Sequence, residues 1–113
     1  MNRFGALLAE SRLSAGASQD ALALELGISR AYISDLELGR RGPLNPDAIE
    51  RAGIFLGVDP RDMRRAAILD RGSVCLDVSG DDSPMRIELA ARLGRDWRSL
   101  TPYTISQLIG ALD

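Results

Sequence analysis

The sequence contains no histidine and no lysine, and its only cysteine is Cys75. A single cysteine excludes a disulfide within the chain, and without histidine neither a histidine-based catalytic triad nor a common zinc site can be built. We therefore expect no enzymatic activity, no metal and no cofactor. No apolar run approaches the roughly 20 residues that cross a bilayer, and the N-terminus lacks a charged-then-apolar signal pattern. These absences predict a cytoplasmic protein that does not enter the membrane.

Charge of one sign is also lacking, because 14 arginines face 16 acidic residues and give a net charge of −2. Residues 1–69 carry nine arginines and nine acidic residues, whereas residues 70–113 carry five and seven. Any attraction to nucleic-acid phosphates must therefore come from local clusters of arginine. Sequence-independent binding to DNA is expected to be weak.

The segment 18–39 predicts two short helices joined by a tight turn. Ser18 can cap the first helix, which carries Leu22 and Leu26 at helical spacing, and Gly27 can adopt the positive φ that reverses the chain. Ser29 can cap the second helix, which ends at Gly39. This pattern indicates a helix-turn-helix.

The outward face of the second helix carries short or hydrogen-bonding side chains, which a DNA major groove can accommodate. The candidate base contacts are Arg30, Ala31, Ser34 and Asp35. Arg30 can donate two bonds to guanine or remain a solvated or phosphate-bound arginine, and Ser34 can bond a base or a phosphate. Ala31 can contact a thymine methyl or simply permit close approach. Asp35 either accepts from cytosine or discriminates against other sites.

From Phe4 to about Met63 the sequence resembles the Cro/C1-type helix-turn-helix regulators, also called xenobiotic-response-element-like, to which the lambdoid phage repressors belong. The matching residues are Arg12, Gly16, Ser18, Gln19, Leu22, Ala23, Leu26, Gly27, Ile28, Ser29, Tyr32, Ile33, Ser34, Leu36, Glu37, Gly39, Arg40, Arg41 and Pro43. The resemblance implies a five-helix lambda-repressor-like domain whose third helix reads bases. It also implies a dimer on a two-fold symmetric operator of double-stranded DNA.

The resemblance further implies roles for residues around the second and third helices. Phosphate contacts are expected from Gln19, Arg40 and Arg41, although Gln19 can instead be a solvent-exposed residue at a helix start and the two arginines can simply favour a helix C-terminus. Independently of the resemblance, the Tyr32 hydroxyl can reach a phosphate, and its ring can lie on the domain surface. Arg12 and Glu37 are expected to form a structural ion pair that fixes the first helix against the third.

The remainder of the chain predicts a second part. We expect a DNA-binding domain over residues 1–70 and a dimerisation element over residues 71–113. In the latter, the alternation of Val74, Leu76 and Val78 predicts a short strand, which would pair with the same strand of another subunit. Helices are predicted over about 85–93 and 101–112. The predicted dimerisation residues are Val74, Leu76, Val78, Leu108, Ile109 and Leu112.

Two functions fit these features. The first is a sequence-specific transcriptional regulator, a repressor that binds an inverted-repeat operator as a homodimer and is nucleoid-associated when bound. The alternative is an antitoxin-type protein, whose C-terminal region binds a partner protein while its helix-turn-helix regulates its own operon. A stable homodimer of the isolated chain would favour the first.

Overall fold

The structure, a computed structural model, describes residues 3–113. Three helices begin the fold: α1 (Arg3–Ser14), α2 (Gln19–Leu26) and α3 (Arg30–Glu37). Two more complete the first part, α4 (Pro46–Leu56) and α5 (Pro60–Arg71). Residues 1–70 were predicted to contain five helices, and that prediction is confirmed.

The helix boundaries follow from local capping. The side chains of Ser18 and Ser29 accept hydrogen bonds from backbone N–H groups in the first turns of α2 and α3, both at 3.0 Å. Asn45 caps α4 in the same way, and Asp59 caps α5. Gly27 ends α2 with a φ of 68°, in the left-handed region where a side chain would be strained.

A single hydrophobic core joins α1 to α5. Its side chains come from the inward faces of all five helices and from the loop before α4. The core consists of Phe4, Leu8, Leu22, Ala23, Leu26, Ile33, Leu36, Leu44, Ile49, Ala52, Leu56, Met63, Ala66 and Ala67. Gly53 lets α4 approach the start of α5, because a Cβ at this position would lie 2.8 Å from Cγ of Pro60. The core fixes the position of α3 through Ile33 and Leu36, both fully buried.

The last two residues of α5 form hydrogen bonds with the backbone of earlier segments, Asp70 with the start of α1 and Arg71 with the loop before α4. The carboxylate of Asp70 accepts hydrogen bonds from the backbone N–H groups of Arg3 and Phe4 at 3.0 and 2.8 Å. These amides belong to the first turn of α1 and have no partner within that helix. Arg71 donates to the backbone carbonyls of Pro43 and Leu44 at 2.7 and 2.8 Å.

The strand predicted at Val74, Leu76 and Val78 is wrong. Residues 73–79 have no regular secondary structure, and nowhere within residues 3–113 does the chain form a β-strand. The physical reason is that alternating apolar residues favour an extended backbone but do not supply the second strand that a hydrogen-bonded ladder requires.

The chain divides into two compact units, the first ending at Val74 and the second spanning Cys75–Asp113. The second unit contains α6 (Pro84–Asp96), a short 3₁₀ turn (Trp97–Ser99) and α7 (Pro102–Ala111). Across residues 75–113, all of which the structure describes, no residue is buried. In the described part of the chain, no helix has both the length and the apolar character needed to cross a membrane.

Candidate nucleic-acid interface

The helix-turn-helix presents the outer face of α3. Ile33 and Leu36 anchor the inner face in the core. On the outer face Arg30 and Ala31 are exposed, while Ser34 and Asp35 are partly exposed. The four predicted base-contact residues are therefore all accessible on one short capped helix, where small and hydrogen-bonding side chains can enter a groove.

Arg12 and Glu37 form an ion pair that links α1 to α3. Arg12 Nε donates to Glu37 Oε2 at 2.7 Å, and a second guanidinium nitrogen donates to Oε1 at 3.0 Å. The two side chains are only 12% and 7% exposed. The hydrogen bond to Glu37 raises the pKa of Arg12 above its ordinary value, although partial burial opposes this. The bidentate geometry fixes the orientation of α3 relative to α1.

Gln19 lies at the start of α2 and is joined to the same pair. Its side-chain amide donates to Glu37 Oε1 at 3.0 Å. An amide nitrogen carries two hydrogens, so one donor is left for another acceptor. Gln19 thus connects α2 to α3 from a partly exposed position at the surface.

Of the residues that were predicted to contact phosphates, Arg40 and Arg41 lie close to Asp35, and Tyr32 lies against Arg41. The guanidinium of Arg41 stands over the ring of Tyr32, 4.4 Å from its centroid, and Arg41 Nε lies 3.8 Å from Asp35 Oδ2. Arg40 Nη1 lies 4.0 Å from Asp35 Oδ1. A third exposed pair joins Arg30 Nε to Asp20 Oδ1 at 3.9 Å.

Sequence reasoning missed these acidic partners of the arginines. Asp20 lies ten positions before Arg30, on a different helix, and no helical spacing relates the two. Asp35 lies five and six positions before Arg40 and Arg41, so it falls outside the spacing of side-chain pairs within a helix. The pairs form because the turn places the first residue of α3 near α2, and because the chain folds back after Gly39.

The predicted dimerisation residues lie at the surface. Val74, Leu76 and Val78 are exposed in the irregular segment, Ile109 and Leu112 are exposed at the end of the chain, and Leu108 is partly buried. Within the second unit, a groove of about 270 Å³ lies between residues 75–78 and α6. Its apolar lining includes Leu76, Val78, Leu89 and Leu93.

No arrangement for metal chemistry is found in the described residues. Residues 3–113 contain no group of three or more histidine, cysteine, aspartate or glutamate side chains that could hold a metal ion. In the same range every buried side-chain nitrogen or oxygen has a hydrogen-bond partner. The polar side chains of the interior are thus used for structure.

In a comparison with known protein families, residues 3–67 match the model of a family described as a helix-turn-helix domain. The chain is 43% identical over 61 residues to the control protein C.BamHI of Bacillus amyloliquefaciens, covering 53% of this chain and 74% of that protein.

Two solved structures are similar to the chain. One is the clp gene regulator ClgR from C. glutamicum, with a TM-score of 0.51, 28% identity and coverage of 67% of this chain and 94% of that one. The other is the restriction-modification controller protein C.AhdI from Aeromonas hydrophila, with a TM-score of 0.49 and 32% identity. The latter match covers 55% of this chain and 92% of the other.

Proposed function

This chain belongs to the helix-turn-helix domain family, and we propose that it regulates transcription by binding an inverted-repeat operator as a homodimer. The observation that carries the proposal is the accessible outer face of α3, held in place by the Arg12–Glu37 pair and by the core. The similarity to C.BamHI, named a control protein, and to ClgR, named a gene regulator, supports a regulatory role. The likeness to lambdoid phage repressors favours repression over activation.

The residue roles divide between sequence choice and affinity. Arg30, Ala31, Ser34 and Asp35 face the base edges of the major groove. Gln19 uses its second amide hydrogen for a phosphate, joined by Tyr32, Arg40 and Arg41. These phosphate contacts orient α3 in the groove but carry no sequence information of their own.

Dimerisation is assigned to the second unit, because its apolar residues are left uncovered. Helix α7 contains no charged residue and carries Ile105, Leu108 and Ile109 at helical spacing, and such an apolar stripe is normally covered by another element. In a two-fold interface the same surface patch meets itself, so that residue i of one copy contacts residue j of the other and j contacts i; two uncharged helices therefore meet there without like-charge repulsion. Residues Leu108, Ile109 and Leu112 lie in or directly after this helix.

The antitoxin-type alternative rests on the same exposed apolar surface, which a different protein could cover. Mass measurement of the isolated chain separates the two functions. A stable homodimer supports the proposed regulator, whereas a monomer that forms a complex only with a second protein supports the alternative.

The geometry of the operator tests the proposal directly. Two copies of α3 related by a two-fold axis should meet the major groove about one helical turn apart, with roughly 10–10.5 bp between half-site centres. Sites are selected from random DNA and footprinted, and we expect an inverted repeat. Inserting about 5 bp between the half-sites should abolish tight binding, because it rotates one half-site to the opposite face of the duplex. A direct repeat, or unchanged binding after the insertion, would overturn the symmetric-dimer proposal.

A further inference from the structure

All three arginines assigned to DNA lie within 4.0 Å of a carboxylate of the same chain. Asp20 faces Arg30, and Asp35 faces both Arg40 and Arg41. We propose that Asp20 and Asp35 act as internal substitutes for DNA phosphate, which hold these arginines in the unbound protein and suppress binding to non-operator DNA. This inference rests on the proposed function and adds to it a determinant of specificity.

The two arginines paired with Asp35 are held by more contacts than the single arginine paired with Asp20. The side chain of Asp35 is 37% exposed, and its two oxygens face different guanidinium groups. Arg41 is held from two sides, by the carboxylate at 3.8 Å and by the ring of Tyr32 at 4.4 Å. The negative face of an aromatic ring attracts a cation, so Arg41 is already directed toward α3 before DNA arrives.

Asp20 lies in the first turn of α2 and Arg30 begins α3. Their side chains are 77% and 68% exposed, and the 3.9 Å separation is too long for a hydrogen bond, so the contact is an electrostatic pair. Such a pair is weak and is easily exchanged for a better partner. Arg30 can therefore leave Asp20 for a guanine that accepts two hydrogen bonds, whereas on other sequences it exchanges the carboxylate only for a phosphate and gains no base contact.

If the two carboxylates weakened binding equally on every DNA sequence, the ratio of operator affinity to random-duplex affinity would not change. Their effect is unequal, because at the operator Asp35 can accept a hydrogen bond from cytosine and Arg30 can donate to guanine. On other sequences the two carboxylates lie near phosphates with no compensation, and like charges close together are unfavourable. The acidic residues should therefore weaken random binding more than operator binding.

The test compares Asp20→Asn and Asp35→Asn with the unaltered full-length protein on a random duplex and on the selected operator, over a series of salt concentrations. We expect each variant to bind the random duplex about 2- to 5-fold more tightly. The dependence of log affinity on log salt should steepen by about 0.9 for each arginine that gains a phosphate. Operator affinity should rise less, so the ratio of operator to random affinity falls.

Two control variants isolate the effect of charge at these positions. Asp35→Glu keeps the carboxylate and should retain the salt dependence of the unaltered protein. Asp62→Asn removes an exposed carboxylate that pairs with Arg65 at 3.5 Å on α5, outside the helix-turn-helix, and should change neither affinity nor slope. The unfolding midpoint of each variant confirms that it is folded.

Unchanged random-duplex affinity and salt slope in both Asn variants would overturn the inference, even if the unaltered protein binds its operator. An equal change in Asp62→Asn would also overturn it, because the effect would then be one of net charge alone. Failure of the unaltered protein to select any sequence would instead overturn the proposed function. The random-duplex measurements would still decide the role of the two carboxylates.

Discussion

At the scale of single residues, truncation of Arg30 and truncation of Arg41 should change DNA binding in different ways. Arg30→Ala should lose roughly 1–3 kcal/mol at the best operator and relax one base preference, because a bidentate contact to guanine is removed. Arg41→Ala should weaken binding to all sequences alike. It should also reduce the slope of log affinity against log salt by the amount that corresponds to about one phosphate contact. Titrations on operator and random duplexes check both. Equal losses on the two duplexes for Arg30→Ala would contradict its role in reading bases.

The contacts of a single residue could be predicted from the sequence where they depend on its position in the local backbone, as they do at a helix cap. Ser18 and Ser29 were predicted as caps from residue type and position, and both make that hydrogen bond. Arg12 and Glu37 were placed together only by family resemblance, since 25 positions separate them. The carboxylates opposite Arg30 and Arg41 depend on tertiary placement and on rotamers of long side chains, which no local pattern encodes.

At the scale of helices, the link between α1 and α3 should behave as a coupled unit. Arg12→Met or Glu37→Met alone should lower the free energy of unfolding by about 2–4 kcal/mol, because each leaves a poorly solvated charge without its partner. The double variant should lose less than the sum, by about 1–3 kcal/mol, since no such charge remains. Denaturant unfolding of all four proteins measures this coupling, and simply additive losses would show that the pair does not act as one.

The helices were more predictable than the irregular segment. Helices α4 and α5 begin at prolines that follow Asn45 and Asp59, and this arrangement satisfies amides at the start of a helix wherever it occurs. Residues 73–79 alternate in the way a strand does, yet a strand exists only with a partner. Helical hydrogen bonds are local and leave their mark in the sequence, whereas strand pairing is not local.

At the scale of the whole molecule, removing residues 75–113 should leave a folded first unit, because every buried core residue lies at or before Ala67. We expect cooperative thermal unfolding and a monomer by light scattering. Operator affinity should fall by about 10²- to 10⁴-fold, because the two half-sites are no longer bound by one linked molecule. The cut follows Val74 so that Arg71 keeps its bonds to Pro43 and Leu44.

A full-length variant, Ile109→Asp, serves as the control for this truncation, since it places a charge in α7 without shortening the chain. It should also be monomeric. If the truncated protein still dimerises, or binds the operator as tightly as the full chain, the second unit is not the dimerisation element.

The hydrogen bonds from the first turn of α1 to Asp70 bear on the order in which the chain folds during synthesis. Their acceptor lies 67 and 66 positions after the donors. While the protein emerges from the ribosome, α1 therefore has no acceptor for these amides until nearly the whole first unit has been made. Contacts of such long separation in sequence close late, because the intervening chain must first be ordered. The first unit is thus completed when the end of α5 reaches the start of α1, and in a nascent chain that stops before α5 these two amides are left to water.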